Sequence, residues 1–310
     1  MTVAATLFRK AYLSKFTTSN TRPDARPLHS VRPTTIVPTV IHRNTHGSSL
    51  VRLGNTQVTT GISLSVGTPS PSCPHYGELD VTVHLSPLSH GRYTAGGRIQ
   101  HEEGTRSTSS AIAYQDPQGL ESFVKRSLLS SKLVDLKELG LQEGKSAWKV
   151  HVSCVVLNHE GNIVDACLLG AVSALLDLRL PLVKFGTKNG KEIVQLLGTN
   201  CDQSKSPGTM NDGRKGIQLN LKTIPIPLTV GIFENKMLVD PTMEEEEVCD
   251  GMITVIVDAL SLKGDDDVYD GKILGLSKSG EAILKPEDIA ACAQLAMGRA
   301  RELRNILIAK

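Results

Sequence analysis

With 310 residues and 40% hydrophobic content, the chain can bury a substantial core as one large domain or two modest ones, which argues against extended disorder. A formal net charge of +2 excludes a strongly basic nucleic-acid binder, so any contact with nucleic acid must come from a local patch or an assembly surface. Aromatic residues make up only 4%, too few for a base-stacking platform.

Met1 to Arg22 holds Arg9, Lys10, Lys15 and Arg22 and no acid, the composition of a transit peptide. The preferred reading is structural: Leu7, Phe8, Ala11, Tyr12 and Phe16 share one face of a short helix that docks on its own domain. Between Ser48 and Val66, apolar Val51, Leu53, Val58, Ile62 and Leu64 alternate about Gly54-Asn55, which predicts a hairpin. Residues 67–119 are rich in Ser, Pro, Gly and His without a clean period, and read as a long functional or assembly loop with short strands in it. Leu120, Phe123, Val124, Leu128 and Leu129 then recur at helical spacing, with Lys125 and Arg126 on the opposite side.

Val150 to Leu157 reads as a strand, Asn158 to Asn162 as its turn, and Ile163-Val164 as the start of a return. From Asp165, a helix apolar nearly all round through Ala166 to Leu176 should be buried between a sheet and other structure, with Pro181 closing the segment. Thr187 to Lys215 is polar and predicts an exposed insertion or linker. Ile217–Thr223, Pro227–Phe233, Met237–Asp240, Met252–Val257 and Ile273–Leu276 read as strands, with Glu234-Asn235-Lys236 as a tight turn. Pro286-Glu287-Asp288 opens a final helix to about Leu307, striped by Ile289, Cys292, Ala293, Ala296 and Ala300. Strands then helix, twice, predict an α+β fold of mixed sheets with packed helices.

The six cysteines form no CxxC pair and read as reduced thiols. No apolar run approaches a membrane span, so a soluble cytosolic or nuclear protein is expected. Cys73, His75, His84, His90 and His101 match no common ligand spacing, and no metal is expected. Gly91 to Arg98 lacks the Gly-Lys-Ser/Thr ending of a nucleotide loop; Arg92 and Arg98 are instead candidates for contacting an RNA backbone, with a plain surface loop as the alternative. Lys125 and Arg126 are further RNA-binding candidates.

Three strings carry a family resemblance: Arg22-Pro23-Asp24-Ala25-Arg26, Leu53-Gly54-Asn55-Thr56-Gln57-Val58, and Leu238 to Glu246 around Asp240-Pro241-Thr242, with Gly161 to Ala166 between them. In that order they resemble the RNase PH-like subunits of the eukaryotic RNA exosome, over nearly the whole chain apart from 67–119 and 187–215. The resemblance implies an RNase PH-like fold of two βα subdomains (ribosomal protein S5 domain 2-like). Its parts would be an N-terminal helix and motif segment over 1–30, subdomains over 31–185 and 216–310, and a linker over 186–215.

The resemblance also implies a hexameric ring with other RNase PH-like subunits, S1/KH-domain cap subunits, RNA and an associated exoribonuclease as partners, no cofactor, no membrane, and a location in nucleus, nucleolus and cytoplasm. Phosphorolytic members place a second acid close to the position matching Asp240. Here Thr242 stands there, and a hydroxyl cannot replace a carboxylate in holding a metal or taking a proton. Asp240 and Thr242 are therefore read as a degenerate active-site position with no catalytic residues, and the four glutamates from Glu244 to Glu247 as a solvated face or a helix N-terminal turn. Gly104-Thr105-Arg106-Ser107 has a superficial likeness to the family's phosphate motif and is read as coincidence. The expected function is a non-catalytic ring subunit supporting 3′–5′ RNA processing and decay. The alternatives are an active phosphate-dependent 3′–5′ exoribonuclease using Asp240 and Arg106, or a metabolic enzyme on the same architecture.

Overall fold

The computed structural model describes residues 9–41, 45–91, 93, 116–188, 191–197, 216–262 and 271–308. A helix α1 (Arg9–Thr18) precedes β1 (Thr34–Pro38), β2 (Gly47–Leu53), β3 (Thr56–Gly67) and β4 (Glu78–Leu85). Then come α2 (Pro117–Ser130), β5 (Gly140–Gln142), β6 (Ser146–Asn158), α3 (Ile163–Asp177), and the short strands β7 (Arg179–Leu180), β8 (Leu182–Lys188) and β9 (Lys191–Leu197). The second half holds β10 (Ile217–Gln218), β11 (Pro225–Phe233), β12 (Lys236–Val239), a single-turn α4 (Met243–Glu246), β13 (Gly251–Asp258), β14 (Ile273–Gly280) and α5 (Pro286–Ile308).

The first sheet runs β1-β2-β3-β6-β4, with β5 also paired to β6. It is mixed: β4 lies parallel to β6 and the other pairs are antiparallel, because the chain returns from β4 through α2 rather than through a hairpin. The second sheet, β12-β11-β13-β14, is wholly antiparallel. These two mixed or antiparallel sheets with packed helices are the expected α+β class.

Helix α3 joins the halves. Residues Ile163 to Leu175 are all buried, and the helix packs on β2, β3 and β6 of one sheet and on β11 of the other. A helix apolar on every side has no face to give to water, so it can be stable only between two layers. Strands β11 and β13 are likewise buried along their full length, since α3 and α5 both pack on this sheet. The stripe of α5 follows the expected positions and continues through Met297, Leu303 and Leu307.

Several local expectations change. Glu78–Leu85 is a full strand whose Leu79, Val81, Val83 and Leu85 point into the core; its polar residues alternate on the other side and hid it within a polar segment. Ile163-Val164 opens α3 rather than a returning strand, because Asn162 takes a left-handed conformation (φ 54°) and turns the chain straight into the helix. The polar stretch expected to be a linker begins with the β8–β9 hairpin; 198–215 lie outside the described residues. The N-terminal helix docks as expected, but through Leu13 and Thr17, with Tyr12 and Phe16 half-buried and Ala11 exposed. The Gly54-Asn55 hairpin is as expected, with Gly54 at φ 58° and Leu53 opposite Thr56.

Candidate functional site

Four turns meet where the sheets and α3 converge: the 22–32 segment, the β6–α3 turn, the β2–β3 turn and the β12–α4 turn. Arg22 is fully buried. Its Nε donates to Glu245 Oε1 (2.9 Å), its Nη2 to Glu245 Oε2, and its Nη1 and Nη2 to the carbonyls of Val239 (2.6 Å) and Asp240 (3.1 Å). The 22–26 loop closes on itself through Arg22 N–H to Arg26 O (3.0 Å), with Ala25 at φ 65°, a conformation glycine takes without steric cost. Arg26 pairs with Asp24 (2.6 Å) and reaches Asp240 Oδ2 at 3.5 Å. Arginine suits these roles because its planar fork satisfies a carboxylate and carbonyls together.

Asp240 is the residue these arginines surround. It follows β12 at φ 52° and is 0% exposed. Arg32 donates to it three times, from its backbone N–H (2.9 Å) and Nε (2.8 Å) to Oδ2 and from Nη2 to Oδ1 (2.7 Å), and Asn162 Nδ2 adds a fourth bond to Oδ1 (2.7 Å). Burial by itself would raise the Asp240 pKa, but the bonds and charge of Arg32, helped by Asn162, outweigh it and hold the carboxyl below its ordinary value. Both oxygens are thus engaged and none faces solvent, so Asp240 offers no lone pair to a metal ion or a substrate.

Thr242 caps α4, with its N–H donating to Glu245 Oε2 (2.8 Å) and its carbonyl accepting from Glu246 N–H (2.8 Å). The glutamate run does form the helix N-terminal turn, but it is not a solvated face throughout: Glu245 and Glu246 are buried. Glu246 Oε1 accepts the Asn162 N–H (2.6 Å), and Asp165 accepts from Asn162 Nδ2, from Thr229 N–H and from Thr229 Oγ1 (2.8, 2.9 and 2.7 Å). Burial pushes Glu246 up to about 7, with the Asn162 amide and Arg32 opposing and the charges of Asp240 and Asp165 adding to it. Asp165 is pushed up to about 6 by burial against its bonds to Thr229 and Asn162.

The arrangement brings Asp240 and Thr242 together with the Arg22–Arg26 motif. It does not bring Lys125 and Arg126 to them. Lys125, on α2, pairs with Asp80 of β4 (2.9 Å), and Arg126 lies 5.9 Å from the ring of Phe123. Arg92 and Arg98 lie outside the described residues. Sequence reading passed over Arg32; Asn162 and Asp165 were noted only as turn and helix start within the 161–166 string, and Glu246 only within the glutamate run, without a place in this cluster. The Gly161-Asn162 pair before an apolar helix was a usable signal, whereas Arg32 lies in no motif, and only folding shows that its partner is 208 positions away.

A scan of known families matches residues 30–181 to domain 1 of the 3′ exoribonuclease family (RNase PH) and residues 223–299 to domain 2 of the same family. Among characterised proteins, the exosome complex component Rrp42 of Pyrococcus furiosus is 29% identical over 297 residues, covering 96% of this chain and 91% of that one. The Rrp42 of Thermococcus onnurineus is 31% identical over 284 residues, covering 92% and 88%. Of solved structures, a chain of the Archaeoglobus fulgidus exosome with RNA bound to the active site superposes with a TM-score of 0.70 at 27% identity, covering 96% of each chain. A chain of an archaeal exosome core gives 0.69 at 25% identity, also with 96% of each covered.

Proposed function

We propose, from the premise that this chain belongs to the RNase PH family of 3′ exoribonucleases and carries both of its domains, that it is a non-catalytic ring subunit of an RNA exosome. In this role it assembles with other RNase PH-like subunits and guides RNA through 3′–5′ processing and degradation, including rRNA maturation and mRNA turnover. The characterised relatives named above are exosome components, and they align along nearly their whole length. The observation that carries the absence of catalysis is Asp240: a strand-end carboxylate with no exposed surface and four donors on its two oxygens is a structural ion pair. Thr242, two residues on, is taken up by the helix cap and brings no second acid.

The finer reading is the eukaryotic subunit named ribosomal RNA-processing protein 43, supported by Val134-Asp135-Leu136-Lys137-Glu138-Leu139 and by Gly144-Lys145 with Ala147-Trp148. S1/KH-domain cap subunits and an attached exoribonuclease complete its partners, in nucleus, nucleolus and cytoplasm, and Arg92 and Arg98 contact RNA phosphates in the channel. A ring closed by unlike neighbours uses two different faces of each subunit, and those faces are apolar until assembly covers them.

Expressed alone, the chain should therefore aggregate or form ill-defined oligomers, and co-expression with RNase PH-like partners should give one species of defined mass that protects threaded RNA from nuclease. A monodisperse monomer at micromolar concentration that forms no complex with them would contradict the ring role.

A further inference from the structure

Beside the buried cluster a cleft of about 300 Å³ lies between α1 and the turn that carries α4. Its floor is apolar, made by Leu13, Met243 and Val248, and Tyr12 stands half-buried at the wall. Glu160 and Glu244 border it, exposed and without a side-chain partner among the described residues, while Arg9 is paired with Glu247 and Glu245 is held by Arg22. Among the described residues, the free charge around the cleft is therefore negative.

His159 supplies the second observation. It lines the cleft and is 2% exposed, with its ring stacked on Tyr93 (5.9 Å between centroids) and edge-on to His90 (6.2 Å). Its Nδ1 accepts the Gly161 N–H at 3.3 Å. Burial, with the charges of His90 and Arg32, pushes its pKa down to about 3, so the ring is neutral and its one proton sits on Nε2. That N–H has no acceptor among the described residues. A buried donor left unpaired is costly, and a ligand that brings a carbonyl oxygen relieves it.

We propose that this cleft docks a basic peptide segment of a partner protein. A lysine or arginine head meets Glu160 and Glu244, its aliphatic stem lies over Leu13, Met243 and Val248 beside Tyr12, and a main-chain carbonyl of the segment accepts a hydrogen bond from the His159 Nε2–H. The same carboxylates repel phosphate, which sets this site against a nucleic-acid ligand. Among ligands, a cationic polypeptide is the chemistry that satisfies the charge, the apolar floor and the unpaired donor together.

The test is fluorescence anisotropy with a fluorescein-labelled peptide, Gly-Leu-Arg-Gly-Leu-Arg-Gly, its glutamate counterpart and a labelled ten-nucleotide uridine RNA. It compares wild type with variants in the chain as purified, alone or in its complex, so that it stands independently of the ring role. The arginine peptide should bind saturably and the glutamate peptide should not. Glu160→Lys with Glu244→Lys should weaken binding about tenfold or more, and His159→Phe, which keeps an aromatic ring in the stack but removes both the Nε2 donor and the acceptor of the Gly161 N–H, about fivefold. Because Glu160 and Glu244 are exposed, the double variant should keep the wild-type melting temperature. Undiminished affinity in that folded double variant, no saturable binding by the wild type, or displacement of the peptide by the RNA would each overturn the proposal.

Discussion

Asp240, Glu245 and Glu246 lie inside the molecule, each held by an arginine or a backbone amide, whereas Glu244 on the same β12–α4 turn and Glu160 on the adjoining β6–α3 turn face solvent with no side-chain partner among the described residues. The residue types are alike, and Glu244 is the immediate sequence neighbour of Glu245. What differs is whether the fold has placed a guanidinium or an amide against the carboxylate. Where it has, the acid is committed to joining the halves of the molecule: Arg22 and Arg32 from the N-terminal segment clamp the β12–α4 turn, and Asn162 bridges that turn to the start of α3. Where it has not, the acid remains available to an external cation.

The sharpest way to break this contrast is to remove the committed carboxylate. Asp240→Ala leaves the Arg32 guanidinium buried without its partner, and a broken buried pair costs about 3–5 kcal/mol. Urea unfolding at neutral pH should show that loss as a lower midpoint; a midpoint equal to wild type would mean that the pair does not join the halves.

The second effect is on pH. Glu246 is raised to about 7 in the folded chain, above the ordinary glutamate value of 4.5. The folded state therefore holds this proton more tightly than the unfolded one, so the contribution of Glu246 to stability falls as pH rises from about 4.5 to about 7 and is flat above that, by on the order of 3 kcal/mol. Asp165, raised to about 6, acts in the same direction. Asp240, whose value is lowered, acts in the opposite one: its contribution is present above its ordinary value of 3.8 and is lost as pH falls through its folded value. Glu246→Gln should flatten the slope between pH 5 and 7 in unfolding titrations, and an unaltered slope would exclude Glu246 as its source.

The smallest effect belongs to the surface. The Lys125–Asp80 pair is exposed on both sides, so Lys125→Ala should change stability by less than about 1 kcal/mol in the same unfolding assay. A loss as large as that of Asp240→Ala would erase the distinction between buried and exposed pairs.

The fold was legible wherever a pattern was local. The all-apolar helix from Ala166 to Leu176, the Gly54-Asn55 hairpin and the stripe of α5 could be read directly, because burial on every side, a two-residue turn and a 3.6-residue period each leave a mark in neighbouring residues. Strand β4 was hidden because half of its residues face outward and are as polar as the loop around it. Of the site, the Arg22–Arg26 motif and the position of Asp240 were visible, the latter as a degenerate active-site position beside Thr242. Its partner Arg32 was not visible, because ion pairs 208 residues apart have no local pattern. The four glutamates were read as one run, yet a single helical turn buries Glu245 and Glu246 and leaves Glu244 outside. Only the three-dimensional direction of each side chain divides them.

The most direct measurement is phosphorolysis by the purified chain on 5′-labelled single-stranded RNA, with and without inorganic phosphate, for wild type and Asp240→Asn. With Asp240 fully engaged by Arg32 and Asn162, neither protein should release nucleoside diphosphates, and phosphate should make no difference. Phosphate-dependent release by the wild type, abolished in a folded Asp240→Asn variant, would show that this carboxylate performs chemistry and would contradict its role as a structural ion pair.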